Sequence, residues 1–386
     1  MFRKGRDILS QQSPTALVLT GGGARAAYQV GVLLAIARLQ GRRRDNPFPI
    51  ICGTSAGAIN AVGLACQAEH FRKAVNTLAV FWRNMQAGEI YRTDPLGIGV
   101  TGARWLSALA LGWLIRRAPR SLLDNTPLAT LLSRHMDLGG IERAIARGKL
   151  RAVSISASGY ETGQNINFFQ GSPAVQPWHR HQRIGFKTRL TVEHLLASSA
   201  IPFIFPAVRI NREYFGDGSM RQLAPLSPAI HLGGERLLVI GTSRSSLQPE
   251  RQEAHDYPTL AQIAGHAMSS IFLDGLAVDI ERVQRINRTL NAIPENIRNT
   301  AGVKLRPIDT LVITPSESIE KIAASHAAAL PLSIKLLLGS IGAMNRNGGA
   351  LTSYLLFEKP FTRALIDLGY ADAQARADEI GTFLKL

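Results

Sequence analysis

The chemistry that this sequence can support begins at one serine. Ser55 stands in the run Ile50-Ile51-Cys52-Gly53-Thr54-Ser55-Ala56-Gly57-Ala58-Ile59-Asn60, where an apolar strand leads into G-x-S-x-G and then into an alanine-rich helix. Small residues on both sides, above all Gly53 and Gly57, allow a sharp strand-to-helix turn that leaves the serine hydroxyl at the tip. The run therefore predicts a nucleophile elbow. Because glycine, serine and alanine are common, the rest of the chain must decide whether Ser55 is catalytic.

A second segment with chemical potential lies upstream, where glycines follow the first predicted strand. The apolar run 16–20 leads directly into Gly21-Gly22-Gly23-Ala24-Arg25, and a helix is predicted from there to about Gln40. Free backbone N–H groups at the start of a helix form an anion site, which suits a phosphate or a developing oxyanion. The other interpretation is a tight turn that needs glycine only for space.

A third candidate is Asp217, which lies between the glycines of Gly216-Asp217-Gly218-Ser219. A serine hydroxyl is a poor nucleophile unless an adjacent base accepts its proton. A carboxylate can serve as that base when a partly desolvated site raises its pKa. The flanking glycines leave room for the carboxylate to approach Ser55. The residues alone favour the other interpretation, an aspartate that stabilises a turn.

The elements that must position these residues alternate between strands and helices. The chain has 386 residues, of which 46% are hydrophobic, so it can bury a sizeable core. Apolar runs bounded by glycine and separated by helical patterns predict an α/β fold with a mainly parallel sheet. Beyond about Ser316 the pattern is helical throughout. Strands are expected at 16–20, 50–52, 152–157, 166–169, 236–241 and 310–314.

The charge of the chain indicates an anionic partner. Lys and Arg together number 44 against 28 Asp and Glu, which gives a formal net charge of +16. Nucleic acid is not expected as the partner, because the sequence shows no nucleic-acid-binding motif and only 6% aromatic residues for base stacking. A membrane surface fits the charge better. Small arginine clusters lie at 42–44 and 116–117.

Residues from about 69 to 149 form a predicted helical insertion, and one of its segments bears on membrane binding. The uncharged segment Trp105–Ile115 is bounded by Arg104 and Arg116, and it is shorter than the ~20 apolar residues that a bilayer span needs. It could lie at an anionic membrane surface, with tryptophans as anchors and arginines on the head groups. It could equally be a buried core helix. The sequence leaves both interpretations open.

Side chains for disulfides and metals are scarce. Cys52 and Cys66 are too few for a disulfide framework and are expected to be buried thiols. His179 and His181 form an H-x-H pair, but no third ligand lies nearby, so no metal is expected. No cofactor is expected either.

The first residues carry positive charge but no apolar run of signal-peptide length. No cleavable signal peptide is therefore expected. The predicted location is the cytoplasm, with peripheral attachment to the inner membrane. The sequence gives no indication of the oligomeric state.

Taken together, these motifs resemble those of patatin-like phospholipases. The resemblance extends over about residues 14–242, and the motifs follow the order and rough spacing of the family. The tail is also similar to that of some bacterial members. The segments that carry the resemblance are 21–25, 53–57, 197–206, Asp217-Gly218 and, in the tail, 353–357 with 365–370.

The resemblance implies a three-layer α/β/α patatin-like fold with a mainly parallel central sheet. It implies a catalytic domain at 14–316, with the helical insertion inside it, and a helical C-terminal extension at 317–386 packed on that domain. It also implies a Ser-Asp dyad that needs no histidine, with Ser55 as nucleophile and Asp217 as base. The oxyanion hole would be formed by Gly21, Gly22, Gly23, Ala24 and Arg25.

The activity implied by the resemblance is that of a serine acyl hydrolase. It would cleave acyl esters of phospholipids or related lipids through an acyl-enzyme, without metal or cofactor. Two residues depart from the family pattern. Ala26 stands where the family often has glycine, which could tighten the oxyanion loop. Ser219 stands where glycine or alanine is usual, and its hydroxyl could bond Asp217 and lower its basicity.

Three other functions remain to be tested against the structure. The spacing Gly21-x-Gly23-x-x-Ala26 imitates a dinucleotide fingerprint, although the expected acidic ribose ligand is replaced by the arginines at 42–44. An α/β-hydrolase triad could use Ser55 and Asp217 with a later histidine such as His231. A lipid-binding scaffold would need neither Ser55 nor Asp217 for catalysis.

Overall fold

A ten-stranded sheet forms the centre of the described protein. The computed structural model describes residues 13–41, 43, 45–94, 121–244, 259–271, 275–302, 305–340, 342–343 and 349–386. The strands are β1 (Thr15–Leu19), β2 (Ile50–Thr54), β3 (Ala152–Gly159), β4 (Asn165–Gly171), β5 (Trp178–Arg180), β6 (Arg183–Lys187), β7 (Val208–Ile210), β8 (Glu213–Asp217), β9 (Arg236–Ile240) and β10 (Asp309–Ile313).

The strand order places the candidate residues along one edge of the sheet. It runs β10-β9-β1-β2-β3-β4-β6-β5, with β8 added beside β3 and β7 beside β8. The strands from β10 to β3 are parallel to one another, whereas β4 and β8 both run antiparallel to β3. Because the carboxyl ends of parallel strands meet at one edge, the residues that follow β1, β2 and β9 lie close together there.

Helices cover both faces of the sheet. They are α1 (Ala27–Leu39), α2 (Ala56–Cys66), α3 (Phe71–Asn84), α4 (Ala87–Ile90), α5 (Thr126–His135), α6 (Gly139–Ala146), α7 (Val192–Ser198), α8 (Ser227–His231), α9 (Leu260–Ser269), α10 (Gly275–Asn291), α11 (Glu295–Thr300), α12 (Ile319–His326), α13 (Leu332–Ser340), α14 (Gly349–Leu355), α15 (Lys359–Ala375) and α16 (Ala377–Leu384). Short 3₁₀ helices occupy Gly23–Ala26, Gly218–Arg221 and Ala327–Ala329.

The three layers follow from the way the central strands bury both faces. In β1, Leu17 and Leu19 join the larger core, which contains α1, α2, α3 and helices of the C-terminal region. The alternate residues Ala16 and Val18 join a smaller core on the other face, which includes residues of α8 and α10. Strands buried on both faces appear in sequence as continuous apolar runs. The predicted α/β/α fold with a mainly parallel sheet is confirmed.

The C-terminal helices pack directly against the first helix. A Cβ added at Gly31 of α1 would lie 2.0 Å from the carbonyl oxygen of Ile366 in α15. A Cβ at Gly369 would lie 2.1 Å from the carbonyl oxygen of Tyr28. The two helices therefore meet backbone to backbone, and the Tyr28 hydroxyl donates to Asp372 at 2.9 Å. How the chain divides into domains stays a prediction.

Several smaller predictions meet different outcomes. The described part of the insertion is helical, as α3 to α6, whereas Trp105–Ile115, Arg42 and Arg44 lie outside the described residues. Cys52 and Cys66 are free and buried, as expected. No helix in the described ranges is both long and apolar enough to cross a bilayer. Within those ranges no cluster of three or more metal-ligating side chains occurs.

Candidate active site

Ser55 occupies a strained turn between β2 and α2. Its backbone has φ 55° and ψ −130°, a conformation that a non-glycine residue rarely adopts. The turn is possible because its neighbours are small. A Cβ at Gly57 would lie 2.4 Å from the carbonyl oxygens of Leu19 and Thr20. This is the backbone geometry that a nucleophile elbow requires, and strained residues of this kind cluster at functional sites.

Asp217 is hydrogen-bonded to Ser55. The Ser55 hydroxyl donates to Oδ2 of Asp217 at 2.5 Å, and both residues are buried, with 1% and 0% of their surfaces exposed. The register of the sheet explains the contact. Thr54 at the end of β2 pairs with Ser156 of β3, and Asp217 at the end of β8 pairs with the next residue, Ala157. The structure thus brings together the two residues that the sequence singled out 162 positions apart.

The environment of Asp217 favours its proton-accepting role. Burial raises the pKa of this carboxyl to about 6, although the hydrogen bonds from Ser55 and Ser219 oppose the rise. The Ser219 bond with good geometry comes from its backbone N–H, which donates to Oδ1 at 2.9 Å. The Ser219 hydroxyl makes no well-formed hydrogen bond in the described structure. A carboxylate with a raised pKa is a stronger base than a free one.

The glycine-rich loop forms the opposite side of the site. Gly22 has φ 155° and Gly23 has φ 56°, and a side chain on either would collide with a neighbour. A Cβ at Gly22 would lie 2.6 Å from the Thr242 hydroxyl, and one at Gly23 would lie 2.3 Å from the carbonyl oxygen of Tyr354. Enclosed in this way, the loop follows one path, from Gly21 into the 3₁₀ helix that begins at Gly23.

Several backbone donors of this loop are free to bind a ligand in the described structure. The Arg25 N–H donates to the Gly22 carbonyl, but the N–H groups of Gly23 and Ala24 find no acceptor in the described part of the chain. The first donors of a helix lack partners within it. Gly23 and Ser55 line the same cavity. Such donors suit an oxyanion that develops on a group bound to Ser55.

The Arg25 side chain turns away from this cavity. It is fully buried, and its guanidinium contacts α12 and α14 instead of Ser55. Arg25 is absent from the residues that line the cavity. The backbone of the glycine-rich loop thus reaches the cavity at Gly23, whereas the cationic group of Arg25 is directed into the protein. The role of the loop as an oxyanion hole stays a prediction.

The cavity beside Ser55 is apolar. Helices α2 and α3, the turn after α7 and the residues after α14 all contribute side chains to it. Apart from Gly23, Ser55 and Ser199, the lining is hydrophobic, which suits an apolar substrate group. The hydrophobic lining consists of Ala56, Ile59, Phe81, Trp82, Met85, Ile90, Leu128, Ile201, Phe205 and Phe357.

The serine turn depends on Ser198, which sequence reasoning did not single out. The Ser55 N–H donates to the Ser198 hydroxyl at 2.9 Å, and that hydroxyl donates to the Ser156 carbonyl at 2.7 Å. This chain ties the turn to β3. Ser198 lies in the segment 197–206 that carried part of the family resemblance, so its position was marked but its role was not.

A second buried polar group, also not foreseen, links the serine helix to the glycine-rich loop. Asn60 of α2 donates to the Ala26 carbonyl at 3.1 Å and to the Gln29 side chain at 2.9 Å. Gln29 in turn donates to the Thr20 carbonyl at 2.8 Å. Trp82 donates its indole N–H to Asn60 at 2.7 Å. Buried amides that satisfy one another in this way stiffen the site.

The histidines of the described ranges do not join Ser55 or Asp217. His231 hydrogen-bonds the Ser227 carbonyl at 2.8 Å, and its ring stacks on Trp178 with centroids 5.0 Å apart. Ser55 and Asp217 form no hydrogen bond with a histidine in the part of the chain that the structure describes. A triad that uses His231 therefore has no support in the geometry. His179 lies in the short strand β5, also apart from the site.

Comparison with known proteins gives matches to lipid hydrolases. A family model described as patatin-like phospholipase matches residues 17–230. A Pseudomonas aeruginosa protein named cGAMP-activated phospholipase is 29% identical over 211 residues, which cover 54% of this chain and 53% of that protein. A Vibrio cholerae protein of the same name is 29% identical over 224 residues, 56% of each chain. The chain spans about half the length of the curated relatives it matches.

Among solved structures, human GIVD cytosolic phospholipase A2 with a bound fluorophosphonate inhibitor gives a TM-score of 0.45 at 13% identity. That match covers 99% of this chain and 60% of the human one.

Proposed function

Because this chain belongs to the patatin-like phospholipase family, we propose that it is a serine acyl hydrolase that cleaves lipid acyl esters through a Ser55–Asp217 dyad. The observation that carries the proposal is the 2.5 Å hydrogen bond from the Ser55 hydroxyl to the buried carboxylate of Asp217. A hydroxyl bonded to a base is an activated nucleophile. The lining of the cavity beside Ser55 is apolar, which suits an acyl chain, although the cavity holds only about 20 Å³ and would have to open to admit one.

In the acylation half-reaction, Asp217 accepts the hydroxyl proton while Ser55 Oγ attacks the ester carbonyl carbon. The carbonyl oxygen becomes an oxyanion, and the free N–H groups of Gly23 and Ala24 are the donors that would stabilise it. A backbone donor of this kind is typically worth ~2.7–4 kcal/mol. Asp217 then returns the proton to the departing alcohol oxygen, which leaves an acyl group on Ser55.

In the deacylation half-reaction, water takes the place of the alcohol. Asp217 accepts a proton from this water, whose oxygen attacks the acyl carbonyl carbon. The same loop donors would stabilise the second oxyanion. Its collapse releases the fatty acid and returns the proton to Ser55, so one base serves both half-reactions.

We also propose that the protein binds anionic membranes peripherally, at the inner membrane. The net charge of +16 supports this, and so does a groove of about 1020 Å³ along α3 that carries Arg43, Arg72 and Lys73. The groove shares Phe81 and Met85 with the cavity beside Ser55. Exposed cations draw a protein to anionic lipid, and salt screens that attraction. Binding to vesicles that is independent of anionic lipid and of salt would contradict this part.

The test of the hydrolase uses a fluorophosphonate probe, followed by a panel of phospholipids and simpler lipid esters. We expect the wild type to be labelled and Ser55→Ala to be unlabelled, with turnover lost by at least about 10³-fold. Asp217→Asn should also lose turnover, since the amide cannot accept the proton. The matched controls are Ser340→Ala and Asp309→Asn, which change exposed residues far along the chain.

The assay should also contain an activator arm, because the two bacterial relatives are named as cGAMP-activated enzymes. Cyclic GMP-AMP is added to one series and omitted from the other. Turnover that persists in Ser55→Ala would overturn the mechanism. If the wild type shows neither labelling nor turnover in either series, that result favours a lipid-binding scaffold instead.

A further inference from the structure

Arg25 is a fully buried cation, and each polar group it contacts belongs to the C-terminal region. Its Nη1 forms an ion pair with Glu320 of α12 at 2.8 Å. Its Nε donates to the Ser353 hydroxyl at 2.8 Å, and its Nη2 donates to the Ala350 carbonyl at 3.3 Å. The guanidinium also lies 4.1 Å from the ring centroid of Tyr354. These partners are about 300 residues away in sequence.

The backbone of the glycine-rich loop meets the same helix. The carbonyl oxygen of Tyr354 lies so close to Gly23 that a Cβ there would come within 2.3 Å of it. The next residue, Leu355, accepts a hydrogen bond from the Tyr91 hydroxyl at 2.8 Å. Phe357 completes the wall of the cavity beside Ser55 and stacks on Trp82. Helix α14 therefore closes the loop from behind and ends at the cavity.

This arrangement lies outside the part of the chain that the family model matches, which ends at residue 230. The region from α12 to Phe357 thus contributes to the site without being part of the matched domain. The proposed catalytic steps use none of Arg25, Glu320 and Ser353. The burial of Arg25 and Ser353, and the pairing of Arg25 with the half-buried Glu320, therefore need another explanation.

A buried guanidinium is stable only when its charge is paired and its N–H groups are bonded. Glu320 supplies the charge, while Ser353 and Ala350 supply acceptors. The pKa of Glu320 is lowered, because the nearby Arg25 charge and the Ser318 hydroxyl outweigh the opposing effect of burial. The other groups facing Arg25 are the neutral hydroxyl of Ser353 and the ring of Tyr354.

Arg25 is part of the glycine-rich loop, so the contacts that hold its side chain also restrain the backbone of the loop. It directly follows Ala24, and its N–H closes the turn onto the Gly22 carbonyl at 3.1 Å. If the guanidinium lost its partners, the 3₁₀ turn that aims the Gly23 and Ala24 N–H groups would lose its anchor. A misplacement of about 1 Å at a reacting centre can cost ~10²-fold in rate.

We propose that Glu320 and Ser353 are positioning residues, which hold Arg25 and thereby keep the oxyanion donors of Gly23 and Ala24 aimed at Ser55. The anchoring of the loop by Arg25 can be tested whether or not the protein is a hydrolase. Its effect on turnover rests on the proposed hydrolase function.

The first variant is Glu320→Gln, which removes the charge but keeps an acceptor and nearly the same shape. We expect kcat on a soluble ester to fall about 10- to 100-fold with little change in KM, because the donors act on the transition state. Hydrogen exchange should rise at least about tenfold in the peptide that covers residues 20–27. Glu320→Asp, which keeps the charge, should restore part of both.

Ser353→Ala is the second variant, in case Glu320→Gln unfolds the protein. It removes one acceptor of Arg25 and leaves the ion pair with Glu320. We therefore expect a smaller fall in kcat and a smaller rise in the hydrogen exchange of residues 20–27. The matched control is Glu379→Gln, which breaks the exposed pair with Arg376 at 2.7 Å in the same C-terminal region. The control should leave both the loop exchange and kcat unchanged.

Hydrogen exchange separates this inference from the proposed function. If the loop loosens in Glu320→Gln or Ser353→Ala while the wild type hydrolyses no ester, the anchoring stands and the hydrolase proposal fails. If the exchange of residues 20–27 equals that of the wild type in both folded variants, the inference is overturned. A change in KM with kcat unaltered, or an equal effect of Glu379→Gln on loop exchange and kcat, would also overturn it.

Discussion

The two sides of the cavity are built in different ways. On one side, the turn at Ser55 is made by residues next to it, since Gly53 and Gly57 give α2 its close approach to the sheet. On the other side, the glycine-rich loop follows its path because Thr242 and Tyr354 enclose it from more than 200 positions away. The serine side is shaped mainly by a local motif, with Ser198 as a distant hydrogen-bond partner, whereas the loop side is enclosed by later parts of the chain.

The contrast shows how much of the backbone geometry of a site a short motif can determine. G-x-S-x-G contains most of what shapes the serine turn, so its geometry can be anticipated from the motif. The glycines at 21–23 permit many backbone paths, because glycine restricts conformation least. Contacts with later parts of the chain select one of them.

Gly57→Ala should disrupt the packing of α2 against β1, on which the turn at Ser55 depends. The added Cβ would collide with two backbone oxygens, those of Leu19 and Thr20, which cannot move as a side chain can. We expect the free energy of unfolding to fall by about 3 kcal/mol, at the upper end of overpacking costs. Chemical denaturation measures this.

The matched control for that variant is Gly381→Ala in α16, where a Cβ would meet nothing within 4 Å. Replacing glycine by alanine inside a helix usually stabilises it by about 0.5–1 kcal/mol. If Gly57→Ala were as stable as Gly381→Ala, α2 could approach β1 without its glycine, and the local account of the serine turn would be wrong.

Lowering the pH should abolish catalytic activity through protonation of Asp217 before it breaks the ion pair that anchors the glycine-rich loop. Asp217 must be ionised to accept a proton, and its pKa is about 6 because of burial. Below that value kcat/KM on a soluble ester should fall by about tenfold per pH unit. The pKa of Glu320 is lowered, so its ion pair with Arg25 persists while Asp217 takes up its proton.

The pH profile, read together with hydrogen exchange of residues 20–27 at pH 5 and pH 7, checks this order. Exchange rates, corrected for their intrinsic pH dependence, should show equal protection at both values. A loop that loosens together with the loss of activity would mean that the two sides titrate as one unit.

The smallest expected effects come from single hydroxyls, one for each side. Ser198→Ala leaves the buried N–H of Ser55 and the Ser156 carbonyl without their partner, which should cost about 1–3 kcal/mol of stability. Thr242→Val removes the hydrogen bond to the Gly21 carbonyl and keeps the shape of the side chain, so about 1 kcal/mol is expected.

Fluorophosphonate labelling distinguishes these two variants further. Ser198→Ala should slow labelling more, because Ser198 holds the residue that reacts with the probe. If Thr242→Val slowed labelling more, the loop would be the less robust side, and the comparison of the two sides would reverse.

The sequence predicted the fold and the order of its main elements. Continuous apolar runs identified the central strands at 16–20, 50–52 and 236–241, because strands buried on both faces leave that pattern. It also paired Ser55 with Asp217, through a resemblance carried by motifs in order. The spacing within one motif could not have done so, since the two residues meet only through the register of β2, β3 and β8.

Other parts of the site could not be predicted. The sequence placed Arg25 with the oxyanion loop, but the destination of its side chain depends on α12 and α14, and no local pattern encodes that pairing. Asn60 and Gln29 look like ordinary polar residues in two helices, and only the crossing of those helices makes them partners. The role of Ser198 likewise depends on where α7 ends beside β2.

The ties of Arg25 have a consequence for the order in which the site comes into being during synthesis. Ser198, which holds the serine turn, follows Ser55 by 143 positions. Ser353, which anchors Arg25, follows that arginine by 328 residues. At 5–20 residues per second this is a delay of roughly 15 to 65 s. The nascent chain therefore completes the serine side before the glycine-rich loop is anchored, and the proposed site is complete only once the C-terminal helices have docked.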